Sequence, residues 1–168
     1  METTKTIILN KLQIAQRINR IAYQVYEDNV DEQEIIVAGI AKSGFIMAGK
    51  IADVLKKISP LKIHLIEIIV EKHSETQNEP KLSLSKDQLN GKVVILVDDV
   101  LDSGKTLMYA LRPFLNASVK KIRTAVLVDR NHKRYPLTPD FIGLSLATTM
   151  QEHVAVEFED GNEVAFIR

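Results

Sequence analysis

Four runs of apolar residues predict the strands of a sheet. Residues 35–40, IIVAGI, and 93–97, VVILV, are continuous apolar runs, as expected of strands that are covered on both faces. Residues 61–70, LKIHLIEIIV, are β-branched and alternate in their first half, and residues 122–128, IRTAVLV, form the fourth run. The chain is therefore predicted to contain four strands with buried positions.

Between these runs, apolar residues recur at helical spacing. The first helix is predicted after Asn10, a residue type that favours the N-cap, and the second covers 44–57. A third begins at Thr106 and contains Pro113, which a helix interior tolerates poorly. The apolar stripe of the first helix is Ile14, Ile18, Ile21, Ala22 and Val25.

The order of these elements predicts the fold class. Strands that alternate with helices indicate an α/β fold, a parallel twisted sheet flanked by helices. The last part of the chain predicts short strands near 140–145, 154–158 and 164–167, with DGN at 160–162 as a hairpin turn. We expect one domain over 1–168, in which residues 129–168 form a small C-terminal hood.

A long polar segment separates two of the predicted strands. Residues 71–91, EKHSETQNEPKLSLSKDQLNG, show no helical pattern. Segments of this length are uncommon in compact domains and often act as lids or binding loops. We expect a flexible lid here, and a connection without a role is the alternative.

Composition narrows the function classes. The 168 residues carry 22 basic and 22 acidic side chains, so there is no overall basic field for nucleic acid or a membrane surface, although a local patch stays open. The chain contains no Cys, which excludes thiol catalysis and thiolate metal sites and fits a reducing cytoplasm. We expect a cytoplasmic protein without a membrane span.

The stretch VVILVDDVLDSGKTL, 93–107, carries the clearest chemistry. Asp98 and Asp99 follow a buried strand, and in open α/β sheets ligands bind beyond such strand ends. Gly104 allows close approach to the backbone, and N–H groups at a helix start bind anions. Ser103 and Thr106 add hydroxyl donors. The carboxylates can accept hydrogen bonds from a vicinal diol, and the adjacent N–H and hydroxyl groups can bind a phosphate. A ligand that carries both groups is a sugar phosphate.

This stretch has two other interpretations. The Walker A motif requires a further Gly five residues before Gly104, where Asp99 stands, so that motif is absent. An acidic strand end in which Asp102 serves only as a helix N-cap is the structural alternative.

VVILVDDVLDSGKT resembles the signature of the type I phosphoribosyltransferases. The resemblance implies that Asp98 and Asp99 hold the ribose hydroxyls of phosphoribosyl pyrophosphate (PRPP). It also implies that the 5-phosphate is bound by Asp102, Ser103, Gly104, Lys105 and Thr106. Asp98, Asp99 and Asp102 are accordingly the expected catalytic residues.

The same family has a second loop that grips pyrophosphate. Here it would be AKSG, 41–44, with Lys42 adding charge and Ser43 and Gly44 adding backbone donors. The family often has a cis peptide at this loop. The resemblance implies Mg²⁺ as cofactor, carried by PRPP without a dedicated protein cage and contacted at most by the acidic pair. A lid lysine, Lys72 or Lys81, is expected to reach the pyrophosphate.

The last third resembles the pyrimidine operon attenuation proteins, which are uracil phosphoribosyltransferases and RNA-binding regulators. The matching pieces are LVDR at 127–130, His132, PDFIG at 139–143, Thr148, Glu152 and the DGNEV hairpin. The departures fall largely on that family's RNA-contacting face: Asn19, Tyr23, Leu144-Ser145 and 147–150. Uracil is therefore the expected base, whereas RNA binding is not favoured.

Two residues resemble the hypoxanthine-guanine phosphoribosyltransferases instead. That family places Asp at the position of Asp102, where it manages a purine proton, and has a Lys-Gly pair in its pyrophosphate loop, as Lys42 suggests. It uses Lys where this chain has Asp129, which when ionised cannot donate a hydrogen bond to a purine oxygen.

The expected base-binding residues lie in the C-terminal third. They are Asp129, Arg130, Ile142, Gly143 and Leu144. A salt bridge between Asp129 and Arg130 is the alternative role of that pair. The partners implied by the family are PRPP, a nucleobase and a second copy of the chain in a homodimer or larger assembly. A regulator that binds RNA and keeps PRPP only as an effector is the alternative from another class.

Overall fold

The computed structural model describes residues 4–71, 79–159 and 161–168. Helices and strands alternate through most of this range. They are β1 Thr6–Leu9, α1 Lys11–Asp28, β2 Glu34–Ile40, α2 Ser43–Ile58, β3 Lys62–Ile68, α3 Lys86–Leu89, β4 Val93–Leu101, α4 Lys105–Leu115, β5 Lys121–Asp129, β6 Phe141–Ser145, β7 Val154–Glu157 and β8 Val164–Ile167.

The centre of the molecule is a five-stranded parallel sheet in the order β3-β2-β4-β5-β6. Alternate residues of its strands pack on opposite faces. Ile35 and Val37 belong to the apolar cluster that includes α1 and α2. Ile36 and Ala38 belong to the cluster that includes α4 and Leu89. The predicted parallel α/β sheet flanked by helices is confirmed.

The first helix begins where its sequence predicts. The Asn10 side chain accepts a hydrogen bond from the Gln13 N–H at 2.9 Å, and the Gln13 side chain accepts one from the Asn10 N–H. This capping box satisfies donors that a helix start leaves free. The predicted apolar stripe is the buried face of α1: Ile14, Ile18, Ile21, Ala22 and Val25.

A second, smaller sheet differs from the expected hood. It is antiparallel, in the order β1-β8-β7, so the N-terminal strand belongs to it. Conversely β6 pairs parallel to β5 in the central sheet, with Ala125 opposite Phe141. The expected hood of 129–168 is therefore wrong at β6, because strand pairing is set by contacts distant in sequence. Whether the small sheet acts as a hood stays a prediction.

The end of one strand differs from the prediction, and one helix contains a proline. Strand β4 continues past the apolar run to Leu101, because its acidic residues still pair with β5: Asp98 lies opposite Val126. Pro113 is accepted inside α4, where it lies in the last turn and the helix ends shortly afterwards. A proline so close to the end interrupts little of the backbone ladder.

The polar segment is partly ordered against the sheet. Lys81 forms an isolated antiparallel bridge with Ile69, and a short helix, α3, is capped by Ser85 and buries Leu89. Residues 72–78, including Lys72, lie outside the described residues, as does Asp160 of the predicted hairpin turn. Closure of 71–91 as a lid stays a prediction.

Among the residues described, no helix has the length and apolar character needed to cross a membrane. The longest, α1, spans Lys11–Asp28 and carries an exposed polar face.

Two glycines suggest a direct test of how α2 packs on β2. A Cβ on Gly39 would lie 2.5 Å from Phe45 Cα and 2.7 Å from Ala48 Cβ. We expect Gly39→Ala to destabilise the protein by about 1–3 kcal/mol, because backbone must move to relieve the overlap. Gly49→Ala is the matched control: its Cβ meets only Leu65 Cδ2 at 3.8 Å, and it should stabilise α2 by up to about 1 kcal/mol. Urea unfolding of both variants measures this, and a neutral Gly39→Ala would contradict the packing.

A charge cluster at the amino end of the sheet predicts a pH effect. Hydrogen bonds from Lys92 and from His64, the latter at 2.7 Å, lower the pKa of Glu34 from its ordinary 4.5 to about 2. The carboxylate is thus favoured in the folded state, and its stabilisation is present above pH 4.5 and is lost as the pH falls towards 2. The Tm difference between wild type and Glu34→Gln should shrink over that interval. A Tm difference that does not change with pH would contradict the lowered pKa of Glu34.

Candidate active site

The acidic pair stands near the end of β4 with its carboxylates oriented by backbone. Asp98 is 8% exposed, and its Oδ1 accepts a hydrogen bond from the Asp99 N–H at 2.9 Å. Asp99 Oδ1 accepts one from the Val100 N–H at 2.8 Å. Backbone N–H groups of the loop itself therefore orient both carboxylates.

The turn after β4 exposes backbone donors at the start of α4. Gly104 has φ 88°, a left-handed conformation that favours glycine, and precedes the first helical residue, Lys105. The N-cap residue Gly104 has no side chain to cap the helix, and Ser103 Oγ accepts a hydrogen bond from the Lys105 N–H at 3.2 Å. The Ser103 carbonyl accepts hydrogen bonds from the N–H groups of Arg134 (2.8 Å) and Tyr135 (3.1 Å), which hold the turn in place. The arrangement suits an anion.

Asp102 is therefore not the helix N-cap that one interpretation of the sequence proposed. Its side chain is 60% exposed, and Oδ1 lies 3.2 Å from Nη1 of Arg130. The N-cap position belongs to Gly104.

The acidic pair and the turn form one wall of a cavity of about 380 Å³. The wall consists of residues 98–107, and it includes every residue predicted from the DDVLDSGKT motif to bind PRPP. The remaining lining residues are the apolar Val154, Ala155 and Val156 of β7, in the small sheet, so residues of both sheets line the cavity.

The second predicted loop lies directly beside the acidic pair. A Cβ on Gly44 would lie 2.9 Å from the Val97 carbonyl oxygen and 3.1 Å from Oδ1 of Asp98. The peptide between Ala41 and Lys42 is cis, and α2 begins at Ser43. The structure thus brings Lys42, Ser43 and Gly44 to the same edge as Asp98, although none of the three lines the 380 Å³ cavity.

The two charged residues predicted to bind the base are buried, and they form hydrogen bonds and ion pairs with other residues of the protein. Asp129 Oδ1 accepts a hydrogen bond from the Asn131 N–H at 2.9 Å, and Oδ2 lies 3.8 Å from Lys133 Nζ. Arg130 pairs with Asp102, so the alternative Asp129–Arg130 salt bridge is wrong. Neither residue lines the 380 Å³ cavity.

The apolar residues predicted to read the base lie elsewhere. Ile142, Gly143 and Leu144 belong to β6 of the central sheet, and neither of the two cavities beside the acidic loop is lined by them. The carbonyl oxygens of Ile142 and Gly143 accept hydrogen bonds from Arg20 Nη2, each at 2.7 Å. Their assignment to the base pocket stays a prediction.

The residues that sequence reasoning missed are those of β7. Val154, Ala155 and Val156 were predicted as a short strand without a role, and they form the apolar wall of the cavity. The available signal was the alternating VAVEF run ahead of a hairpin turn. It predicted a strand, but nothing local placed that strand opposite β4.

A second cavity, of about 600 Å³, adjoins the first at Asp102 and Ser103. The remaining lining side chains are predominantly basic: Arg130, His132, Lys133, Arg134, Met150 and His153. Next to this cavity, hydrogen bonds from Thr149 lower the pKa of Glu152, and the positive charge of Arg130 acts in the same direction. Glu152 therefore keeps its negative charge to a lower pH than an ordinary glutamate.

Within the described residues, no group of three or more His, Cys, Asp or Glu side chains could hold a metal ion. The two adjacent carboxylates of Asp98 and Asp99 fit a Mg²⁺ ion that takes most of its ligands from substrate and water, since such ions are usually bound through one or two carboxylates plus phosphates.

Comparison with known proteins agrees with this geometry. The family model described as "Phosphoribosyl transferase domain" matches residues 5–159. The bifunctional protein PyrR of Brevibacillus brevis is 32% identical over 163 residues, covering 93% of this chain and 91% of its own. PyrR of Streptococcus pneumoniae is 30% identical over 155 residues, covering 91% and 90%.

Solved structures share the fold. A hypoxanthine-guanine phosphoribosyltransferase of Bacillus anthracis superposes with a TM-score of 0.72 at 22% identity, covering 87% of this chain and 84% of its own. A hypoxanthine phosphoribosyltransferase of Trypanosoma cruzi, solved with IMP, gives 0.77 at 17% identity, covering 100% and 86%. From the acidic loop, the matching domain and the similar relatives, we conclude that this chain belongs to the phosphoribosyl transferase family.

Proposed function

We propose that the protein transfers the 5-phosphoribosyl group of PRPP to a nucleobase, with uracil as the preferred acceptor, and releases pyrophosphate. The observation that carries the proposal is the single cavity in which the carboxylates of Asp98 and Asp99 adjoin the open helix start at 103–106. A vicinal diol and a phosphate group on one small molecule match these two features.

Different residues bind different parts of the substrate. Asp98 and Asp99 accept hydrogen bonds from the two ribose hydroxyls, and their charge stabilises positive charge that develops at the anomeric carbon. The 5-phosphate is bound by the N–H groups of the turn and the hydroxyls of Ser103 and Thr106. The anomeric carbon loses its bond to the pyrophosphate oxygen and gains one to a base nitrogen, whose proton is released.

We assign the pyrophosphate leaving group to the second predicted loop, residues 41–44. Gly44 lies within van der Waals distance of Asp98, so pyrophosphate on the anomeric carbon would project towards Lys42, Ser43 and the start of α2. Mg²⁺, bound through PRPP and the acidic pair, would neutralise charge on the departing pyrophosphate. Of the two lysines predicted to reach pyrophosphate, Lys72 and Lys81, Lys81 lies within the described residues, and its contact with pyrophosphate stays part of this proposal.

The acceptor is assigned to the β7 side of the cavity. Val154, Ala155 and Val156 offer an apolar surface for a planar base in the cavity that Asp102 also lines. Uracil is preferred because the PyrR relatives are 30–32% identical over more than nine-tenths of the chain. The uracil activity of the attenuation proteins that the chain resembles then applies here. Asp102, shared with the purine enzymes, supports hypoxanthine or guanine as the second candidate.

RNA binding is the candidate from another class. The second cavity supplies basic side chains next to the active site, including Lys133 and Arg134. Leu144, however, stands where the attenuation proteins have a basic residue, and it packs against the apolar core in β6. We therefore rank RNA-dependent regulation below catalysis as the function of this protein.

The choice of base is tested by measuring pyrophosphate release with PRPP, Mg²⁺ and uracil, hypoxanthine, guanine or xanthine in parallel. We expect turnover with uracil above all others, because the chain resembles the attenuation proteins throughout. Faster turnover with a purine would contradict the uracil assignment and support Asp102 as the determinant. PRPP binding without turnover on any base would favour the regulatory alternative.

The role of the acidic pair is tested with Asp98→Asn and Asp99→Asn. Asn keeps the oxygen that accepts the neighbouring N–H but removes the charge. We expect kcat/KM for PRPP to fall about 10- to 100-fold in each, as for the loss of a charge-assisted hydrogen bond, with unchanged circular dichroism. The matched control is Asp53→Asn, an exposed position on α2. Wild-type turnover in the double variant would contradict our placement of the ribose.

A further inference from the structure

The carbonyl group of Ser103, in the turn after β4, is held by two N–H groups from another part of the chain. These donors are the backbone N–H groups of Arg134, at 2.8 Å, and Tyr135, at 3.1 Å. A carbonyl oxygen has two lone pairs, so the two donors use its whole capacity. The Ser103 carbonyl is therefore directed at the loop 130–137, which follows β5.

The direction of this carbonyl decides the direction of the next N–H group. The peptide between Ser103 and Gly104 is trans, and in a trans peptide the C=O and the N–H lie in one plane and point in opposite directions. The Gly104 N–H thus points away from the loop 130–137. It donates to no acceptor in the part of the chain that the structure describes. Of the two cavities beside the acidic loop, Gly104 lines only the one of about 380 Å³.

The peptide on the other side of Gly104 is also held. The Gly104 carbonyl accepts a hydrogen bond from the Met108 N–H at 3.0 Å, the first in the ladder of α4. With both flanking carbonyls bonded, the left-handed conformation of Gly104, φ 88°, is fixed from two sides. The Gly104 N–H therefore has a set direction before any ligand binds.

The loop that supplies the two donors is itself attached to β4 and α4. At its start, the Arg130 N–H donates to the Leu101 carbonyl oxygen at 3.2 Å. At its end, Leu137 is buried in the apolar cluster that contains Leu101 and Leu107. The Leu137 N–H also donates to the Tyr135 carbonyl oxygen at 2.8 Å. Because both ends of the loop are attached, the donors between them are held against the turn.

We propose that the backbone N–H groups of Arg134 and Tyr135 are positioning groups that direct the Gly104 N–H at the 5-phosphate of the substrate. They act through the peptide between Ser103 and Gly104 and do not contact the phosphate. A donor that is already oriented binds an anion without the cost of turning the backbone. This proposal rests on the proposed function, because it assumes that the phosphate binds at 103–106.

The test removes each N–H group and keeps its side chain. Replacement of Arg134 or Tyr135 by the corresponding α-hydroxy acid changes one backbone amide to an ester, which has no N–H. Full-length proteins with the ester at 134, at 135 and at both positions are compared with wild type. The matched control carries the ester at Thr138, whose N–H has no hydrogen-bond acceptor among the described residues.

The affinities of two ligands are measured by calorimetry. Ribose 5-phosphate requires the turn at 103–106, whereas inorganic pyrophosphate is assigned to residues 41–44. We expect each single ester to weaken ribose 5-phosphate binding about two- to ten-fold, and the double ester to weaken it further. Pyrophosphate binding should change by less than about two-fold in every protein, and the Thr138 ester should leave both affinities within that range. The single esters keep the test decisive if the double ester does not fold.

The direction of the N–H group is tested by NMR on protein labelled with ¹⁵N-glycine. The chain has seven glycines, so the spectrum is simple, and the Gly104 signal is the one lost in Gly104→Ala. We expect ribose 5-phosphate to move the Gly104 amide proton downfield, as a new hydrogen bond would, and pyrophosphate to leave it in place. In the double ester this movement should be smaller. A role in stability alone would lower Tm and leave the affinities and the Gly104 signal as in wild type.

Each outcome distinguishes this proposal from the proposed function. If wild type transfers the phosphoribosyl group and the ester proteins bind ribose 5-phosphate as wild type does, the positioning role is overturned and the proposed function stands. Turnover of PRPP without any movement of the Gly104 signal would likewise overturn the positioning role alone. If wild type neither binds ribose 5-phosphate nor turns over PRPP, the proposed function fails, and the positioning role fails with it.

Discussion

The close packing of α2 on β2 and β4 is the constraint on which the site depends. At Gly39, the backbone of Phe45 occupies the space that a Cβ would need. At Gly44, the end of β4 at Asp98 occupies the corresponding space. In a parallel sheet, neighbouring strands end at the same edge. The two glycines bring two strand-to-helix turns into contact there, so that a single small substrate can touch both.

The second requirement is the rest of the cavity lining, which the chain builds from a different sheet. Strand β7 pairs with β8, and β8 pairs with the N-terminal β1, so this part of the lining belongs to a layer assembled from both ends of the chain. Apolar packing connects this layer to the central sheet, because Leu9, Val156 and Ala165 belong to the same core cluster as residues of β2, β4 and β5. Arg130, at the end of β5, adds hydrogen bonds to Thr148, Thr149 and Glu152, the segment that leads into β7. A buried guanidinium is costly unless it is paired, and these acceptors pair it.

Sequence reasoning was accurate where the pattern is local. The apolar stripe of α1, the N-cap at Asn10 and the four strands of apolar sequence follow from spacing and residue type alone, and the structure has them where they were predicted. The acidic loop was also recognisable, because its residues are consecutive and therefore remain neighbours in any fold that keeps the strand-to-helix turn. The phosphoribosyltransferase resemblance rested on that stretch, and the family match confirms it.

The base side of the site could not be predicted in the same way. Ile142, Gly143 and Leu144 lie in the central sheet, and Val154–Val156, which carried no predicted role, line the cavity. Asp129 and Arg130 form hydrogen bonds with other groups of the protein that are not evident from the sequence. The sequence by itself determined the strands, the helices and the consecutive acidic loop, because these depend on neighbours along the chain. Only the tertiary structure decided which distant strand faces that loop and which charges are used internally, because both depend on pairing between segments far apart in sequence.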